Sequence, residues 1–313
     1  MRGSPESLPR PTLNLMRLRT ITVVAVLVMA VTAGSANASQ LIDRNAIGIR
    51  LQVNARGQAL LTYRARGKVW HVLAWGARNA VPPTVTRSQV KFRLDYSGGW
   101  GTYRRDIWKT FRNTCRPYTG PALAWFVAGC TARDGSYWAL QAWQRGLPDY
   151  GLAPTAQQGA WELRLSHWST PLPVLTIGLD WAYRRYDHLF GSLTYVGLPV
   201  FGFHSTSRGV TLDRFGRNVY VDTLDSAYGA GWRRENSFLT HRGRGTFCYG
   251  FYPHGVRPPG AGKRYRATVI GPGVTPDVAW QGAALGPYNG DLDRQLAGTQ
   301  EALVGADPLC RPV

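Results

Sequence analysis

The chain reads as a mostly β protein, an antiparallel sandwich or barrel arranged as two packed β subdomains with one short helix near its C-terminus. Three observations lead there. Short apolar runs with period-two alternation recur from residue 47 to residue 270. The 36 glycines and 20 prolines punctuate these runs at short intervals, as turns in all-β folds require. A helical repeat is clear in only one late segment.

Ile47 to Val53 alternates apolar and polar residues and is predicted as a strand. Ala59 to Arg64 and Lys68 to Trp75 flank Ala65-Arg66-Gly67, a hairpin signature with glycine at the turn. Further strands are expected at Val90 to Tyr96, Tyr137 to Trp143, Trp161 to His167 and Val200 to His204. Asn218 to Thr223, Thr246 to Phe251 and Tyr265 to Ile270 continue the series. Leu292, Leu296 and Leu303 share a helical face, and Asn289-Gly290-Asp291 supplies a start. Arg104 to Arg112 and Asp180 to Phe190 also admit a helix, although their aromatics equally suit a sheet. Leu147 to Gly159, with prolines, paired glutamines and no periodicity, is the expected internal boundary. It separates a basic subdomain, 39–150, from a second subdomain, 151–313.

The start of the chain reads as a secretory leader over residues 1–38. Arg17 and Arg19 precede an uncharged stretch from Ile21 to Ala33, and Ala36-Asn37-Ala38 offers a small-x-small cleavage site before Ser39. Residues 1–15 fit no part of such a leader, and Met16 is an alternative start. The apolar run is shorter than the roughly 20 residues that span a bilayer, so no membrane anchor is expected after cleavage. A secreted, extracellular protein follows. Its four cysteines, Cys115, Cys130, Cys248 and Cys310, lie beyond the leader and read as two disulfides. Three connectivities are possible. Nearest-neighbour pairing, Cys115–Cys130 and Cys248–Cys310, is favoured.

The chain carries a formal net charge of +19. Residues 39–150 hold 17 Lys+Arg against 5 Asp+Glu, and residues 151–313 hold 16 against 12, so the basic character lies mainly in the first half. Nearly all of it is arginine, whose planar fork suits carboxylate and phosphate and stacks on aromatic rings. Arginine recurs beside aromatics at Tyr103-Arg104-Arg105, Tyr183-Arg184-Arg185-Tyr186, Trp232-Arg233-Arg234 and Arg264-Tyr265-Arg266. Trp100, Tyr103, Arg104, Arg105, Tyr183, Arg184, Arg185, Tyr186, Trp232 and Arg233 are therefore the candidate ligand-binding residues. The opposing reading makes these aromatics core and the arginines solvated strand edges.

Other chemistries find less support. The paired carboxylates that sugar hydrolysis needs would come from Glu162, Asp180, Asp187 and Glu235. Asp213, Asp222, Asp225 and Glu235 cluster within a short stretch that could hold calcium, but ion pairing with arginine is the simpler reading, and no metal is expected. The six histidines are scattered without ligand spacing, and no nucleophile elbow occurs. The glycines form no phosphate-cradling loop, so neither a nucleotide nor any other cofactor is expected. The sequence points to a non-catalytic binder of an anionic polymer or glycan of the cell envelope or its surroundings. A secreted polysaccharide hydrolase and a structural coat protein are the alternatives. Oligomeric state is not encoded in any recognisable pattern.

Overall fold

The computed structural model describes residues 39–82, 88–147, 159–200, 218–235, 240–242, 245–253, 258, 260–305 and 310. The expected leader, the strand beyond Val200 and Asp213 lie outside these residues. Among the described residues every strand pair is antiparallel, and the strands form four sheets, none closed into a barrel. The mostly β, sandwich-like expectation holds.

In the first sandwich one sheet runs β1 (Gln40–Arg44), β9 (Trp161–Trp168), β8 (Tyr137–Gln144), β7 (Phe126–Thr131) and β6 (Arg116–Pro117). Facing it is the meander β2 (Ile47–Val53), β3 (Ala59–Ala65), β4 (Lys68–Trp75) and β5 (Arg93–Asp95). Alternation decides the packing. Leu61 and Tyr63 of β3 meet Trp138 and Leu140 of β8 and Leu163 and Leu165 of β9 in one buried core. The Arg66-Gly67 turn takes left-handed backbone at both residues, φ 52° and 71°, the twist that a two-residue hairpin needs.

The second sandwich pairs β10 (Val174–Ala182), β11 (Tyr186–Tyr195), β16 (Thr246–Gly250) and β15 (Thr240–Arg242) with a second sheet. A short β12 (Leu198–Pro199) adds to β11. The facing sheet is β14 (Gly229–Arg234), β13 (Val219–Ser226), β17 (Arg264–Val269) and β18 (Val278–Ala283). Leu189, Leu193, Phe247, Val221, Tyr265 and Val269 are buried between the two sheets.

Among the described residues two α-helices join the strands, the four-residue α1 (Trp100–Tyr103) and α2 (Gly290–Val304). α2 forms where the leucine spacing placed it, and the Asn289 side chain accepts from the Asp291 and Leu292 amides at its start. Its end packs on Phe190, beside the Cys248–Cys310 disulfide. Cys115 joins Cys130, so both disulfides follow the nearest-neighbour pairing. Among the described residues no helix is long and apolar enough to cross a membrane.

Two sequence expectations change. Asp180 to Phe190 is not helical but the hairpin of β10 and β11, and Arg104 to Arg112 yields one single-turn 3-10 helix, Ile107–Thr110. The strands on either side of residues 147–159, β8 and β9, are hydrogen-bonded along their whole length, Tyr137 opposite Trp168 through Gln144 opposite Trp161. The first sheet therefore runs on to Trp168, and the change of sandwich comes in the residues between Trp168 and Val174.

Candidate functional site

Strand parity builds a junction between the sandwiches. In β8 the even residues Trp138, Leu140 and Ala142 enter the core, so Gln141 and Trp143 face outward. In β13 the apolar Val219 and Val221 enter the second core, so Tyr220 and Asp222 face outward. These two outer faces meet. Trp143 packs edge-on against Tyr220 with ring centroids 5.6 Å apart, and Trp125 stacks on Trp143 at 5.5 Å. Ile270 completes this small apolar cluster.

A buried polar lattice locks the same junction. Asp277, just before β18, is fully enclosed. Its Oδ2 accepts from Trp143 Nε1 at 2.8 Å and lies 3.4 Å from Arg164 Nε. Its Oδ1 accepts from the Ser39 hydroxyl and from the Gly271 amide. Gln141 brackets the Asp277 backbone, accepting from its amide and donating to its carbonyl, each at 2.9 Å. Arg164 donates to Glu162 at 3.0 Å and to the Ser39 carbonyl at 2.6 Å.

Beside this lattice opens a cleft of about 200 Å³, lined by Trp125, Trp143, Trp161, Trp232, Gln144, Leu147 and Arg266. Trp161 is 48% exposed and forms its most accessible wall. Asp222 sets the cationic side. Its Oδ1 accepts from Arg234 Nε at 2.6 Å, and its Oδ2 accepts from Arg266 Nε at 2.9 Å and Nη2 at 2.8 Å. Arg266 lies over the Trp232 ring at 4.3 Å and over Trp125 at 5.8 Å. One carboxylate between two guanidiniums leaves this trio with a net positive charge. Four indoles thus surround a guanidinium held in place by Asp222.

The sequence candidates divide into three places. Trp232 lines the cleft, but its arginine partner is Arg266 of β17. Arg233, its neighbour in sequence, faces the other side of β14. Trp100 is 56% exposed and leads into Tyr103, Arg104 and Arg105, all exposed on a loop anchored by Asp95, which accepts from the Ser97 and Thr102 amides. Tyr183, Arg184 and Arg185 form the exposed tip of the β10–β11 hairpin, where Tyr183 and Tyr186 both pack edge-on to Tyr252. Sequence reasoning missed Trp125, Trp143 and Arg266 as one group. The only signal was parity, with Trp232 and Arg234 of β14 and Arg266 of β17 on one face of the sheet, either side of β13.

None of the four carboxylates considered for hydrolysis is open to a substrate. Glu162 is held below the usual carboxylate range by Arg164, Arg145 and Arg44, against the opposing effect of burial. Asp180 pairs with His188 at 2.7 Å, and Asp187 accepts from the Tyr265 hydroxyl at 2.6 Å. Glu235 is fully buried and within reach of the Tyr249 hydroxyl. Asp222 and Glu235 are thus committed inside the fold, and no cluster of metal-ligating side chains occurs among the described residues.

Two buried groups make stability depend on pH with opposite signs. Burial, with the Asp222 charge nearby, pushes the Glu235 carboxyl up from 4.5 to about 8. Between those values the folded chain keeps a proton that the unfolded chain releases, so stability falls as pH rises. Burial pushes His167 down from 6.5 to about 4, so in that window stability rises with pH. The two oppose each other from about pH 4.5 to 6.5, and Glu235 alone acts above that. The urea midpoint is expected to decline from pH 6.5 to 8, with a limiting slope of about 1.4 kcal/mol per pH unit from this one group. Glu235→Gln should flatten that decline. A slope unchanged in the variant would refute the assignment.

Comparison with protein-family models, with curated proteins and with solved structures returned no match for this chain.

Proposed function

We propose that this protein is exported and binds an anionic polymer of the cell envelope or its surroundings without cleaving it. The observation that carries this reading is the tryptophan-lined cleft at the junction of the sandwiches, with Arg266 fixed in its wall. The export half rests on the leader-like start, and the two disulfides fit an oxidising compartment. The basic first half supplies long-range attraction, which salt screens. The cleft supplies short-range stacking, which salt affects little. The exposed Trp100 to Arg105 loop and the Tyr183 to Tyr186 tip serve as outlying contacts to a long chain. A hydrolase is disfavoured because Glu162, Asp180, Asp187 and Glu235 are enclosed and already paired.

Cosedimentation of the mature protein with isolated envelope across a salt series tests this. The retained fraction should fall steeply with salt. Arg104→Glu with Arg105→Glu should reduce capture at low salt. Trp161→Ala with Trp232→Ala should abolish whatever survives at high salt. Absence of co-pelleting at low salt would end this reading.

A further inference from the structure

We propose that the cleft recognises an acidic sugar, a pyranoside carrying a ring carboxylate, and that Arg266 is the residue that selects it. This rests on the polymer-binding reading and names the chemistry of its site. A guanidinium has five N–H donors. Asp222 engages the edge formed by Nε and Nη2 of Arg266. The opposite edge, Nη1 with the second Nη2 hydrogen, has no protein acceptor among the described residues, on a side chain that lines the cleft. That edge is the fork that grips a carboxylate through two parallel hydrogen bonds.

The fork is held ready. Asp222 fixes the plane of the guanidinium, Arg234 fixes Asp222 from its other oxygen, and Trp232 covers one guanidinium face at 4.3 Å. Little side-chain entropy remains to be lost on binding, which favours affinity. The electrostatics agree, since Asp222 is shared between two cations and the trio keeps a net positive charge. The size agrees as well. A cleft of about 200 Å³ takes one sugar ring, whereas sites for drug-sized ligands run from roughly 300 to 1,000 Å³. Exposed Trp161 offers a flat apolar surface for a ring face, and Gln144, whose Nε2 donates to the Gly159 carbonyl at 3.0 Å, keeps its side-chain oxygen as an acceptor for hydroxyls. A neutral sugar would stack equally well but leave the fork without an acceptor. An inorganic anion would fill the fork and leave the indoles unused.

The test is a tryptophan-fluorescence titration of the mature, disulfide-bonded protein with short oligogalacturonate and with the same oligosaccharide fully methyl-esterified. The acid form should bind at least about tenfold more tightly, as expected for one charge-assisted pair worth about 1.4 kcal/mol or more. Arg266→Lys keeps the charge but removes the fork, so it should lose most of this preference while still binding the ester form about as tightly as the wild type. Arg266→Gln should lose it entirely. Trp161→Ala should weaken both forms together. Equal affinity for acid and ester would overturn the inference and leave the cleft a stacking site. No binding of either form, with envelope co-pelleting intact, would also overturn it and move the polymer contact elsewhere. Loss of co-pelleting as well would bring down the polymer-binding reading itself.

Discussion

Asp277→Ala is expected to cost the folded chain roughly 3–5 kcal/mol, the range for breaking a buried ion pair by removing one partner. The reason lies in how many groups share this carboxylate. Trp143 Nε1, the Ser39 hydroxyl and the Gly271 amide would all lose their acceptor in an enclosed space, and Arg164 would lose one of its two counter-charges. Asp277→Asn keeps the shape and one oxygen and should cost less, roughly 1–3 kcal/mol. Guanidinium denaturation read by far-ultraviolet dichroism checks both. Because the lattice sits where the two sandwiches meet, the alanine variant should also lose ligand-induced fluorescence change through displacement of Trp143. A loss below about 1 kcal/mol would show that solvent replaces the carboxylate and that the junction is wetter than described.

Replacing Cys248 and Cys310 together by serine is expected to cost about 4 kcal/mol. The bond closes 62 residues, and on the chain-entropy model the stabilisation grows with the logarithm of that length. The shorter Cys115–Cys130 loop, 15 residues, should contribute about 3 kcal/mol on the same model. The first loss has a local signature too. Cys310 is fully buried beside Phe190 and Leu303, so the bond ties the chain beyond α2 to β16. Limited proteolysis of the double variant should therefore begin between Val304 and the end of the chain, before the sheets are cut. Identical denaturation midpoints with and without the bond would contradict this account.

How much of this was legible in the sequence varies with the range of the interaction responsible. The β3–β4 hairpin was readable because Gly67 marks a turn that needs positive φ. The β10–β11 hairpin was not. Its turn places Tyr183 and Arg184 in left-handed backbone, φ 53° and 52°, conformations for which neither residue is a signal. Without a turn marker, the aromatic run from Asp180 to Phe190 fitted helix and strand alike.

The candidate site shows the same division. In sequence Trp232 neighbours Arg233, yet adjacent strand residues face opposite sides, and the guanidinium over its ring is that of Arg266 on another strand. Asp222 looked like one member of an acidic cluster until β13 was placed between β14 and β17, which brought Arg234 and Arg266 to it. Glu162 and Glu235 looked like catalytic candidates because sequence shows the carboxylate and not its burial.

What the sequence determined alone is therefore what local periodicity, turn chemistry and cysteine spacing encode. That comprises the β class, most strand positions, the C-terminal helix with its Asn289 cap, and the presence of two disulfides, while their pairing came from the structure. Tertiary structure decided the rest, including the division into sandwiches, the Asp277 lattice and the tryptophan cleft. The physical reason is that each of these joins residues far apart in the chain, such as Trp143 with Tyr220 or Gln141 with Asp277. A tryptophan at an outward strand position carries no local mark of what will cover it. Only the docking of two outer sheet faces turns four separate indoles and one arginine into a site.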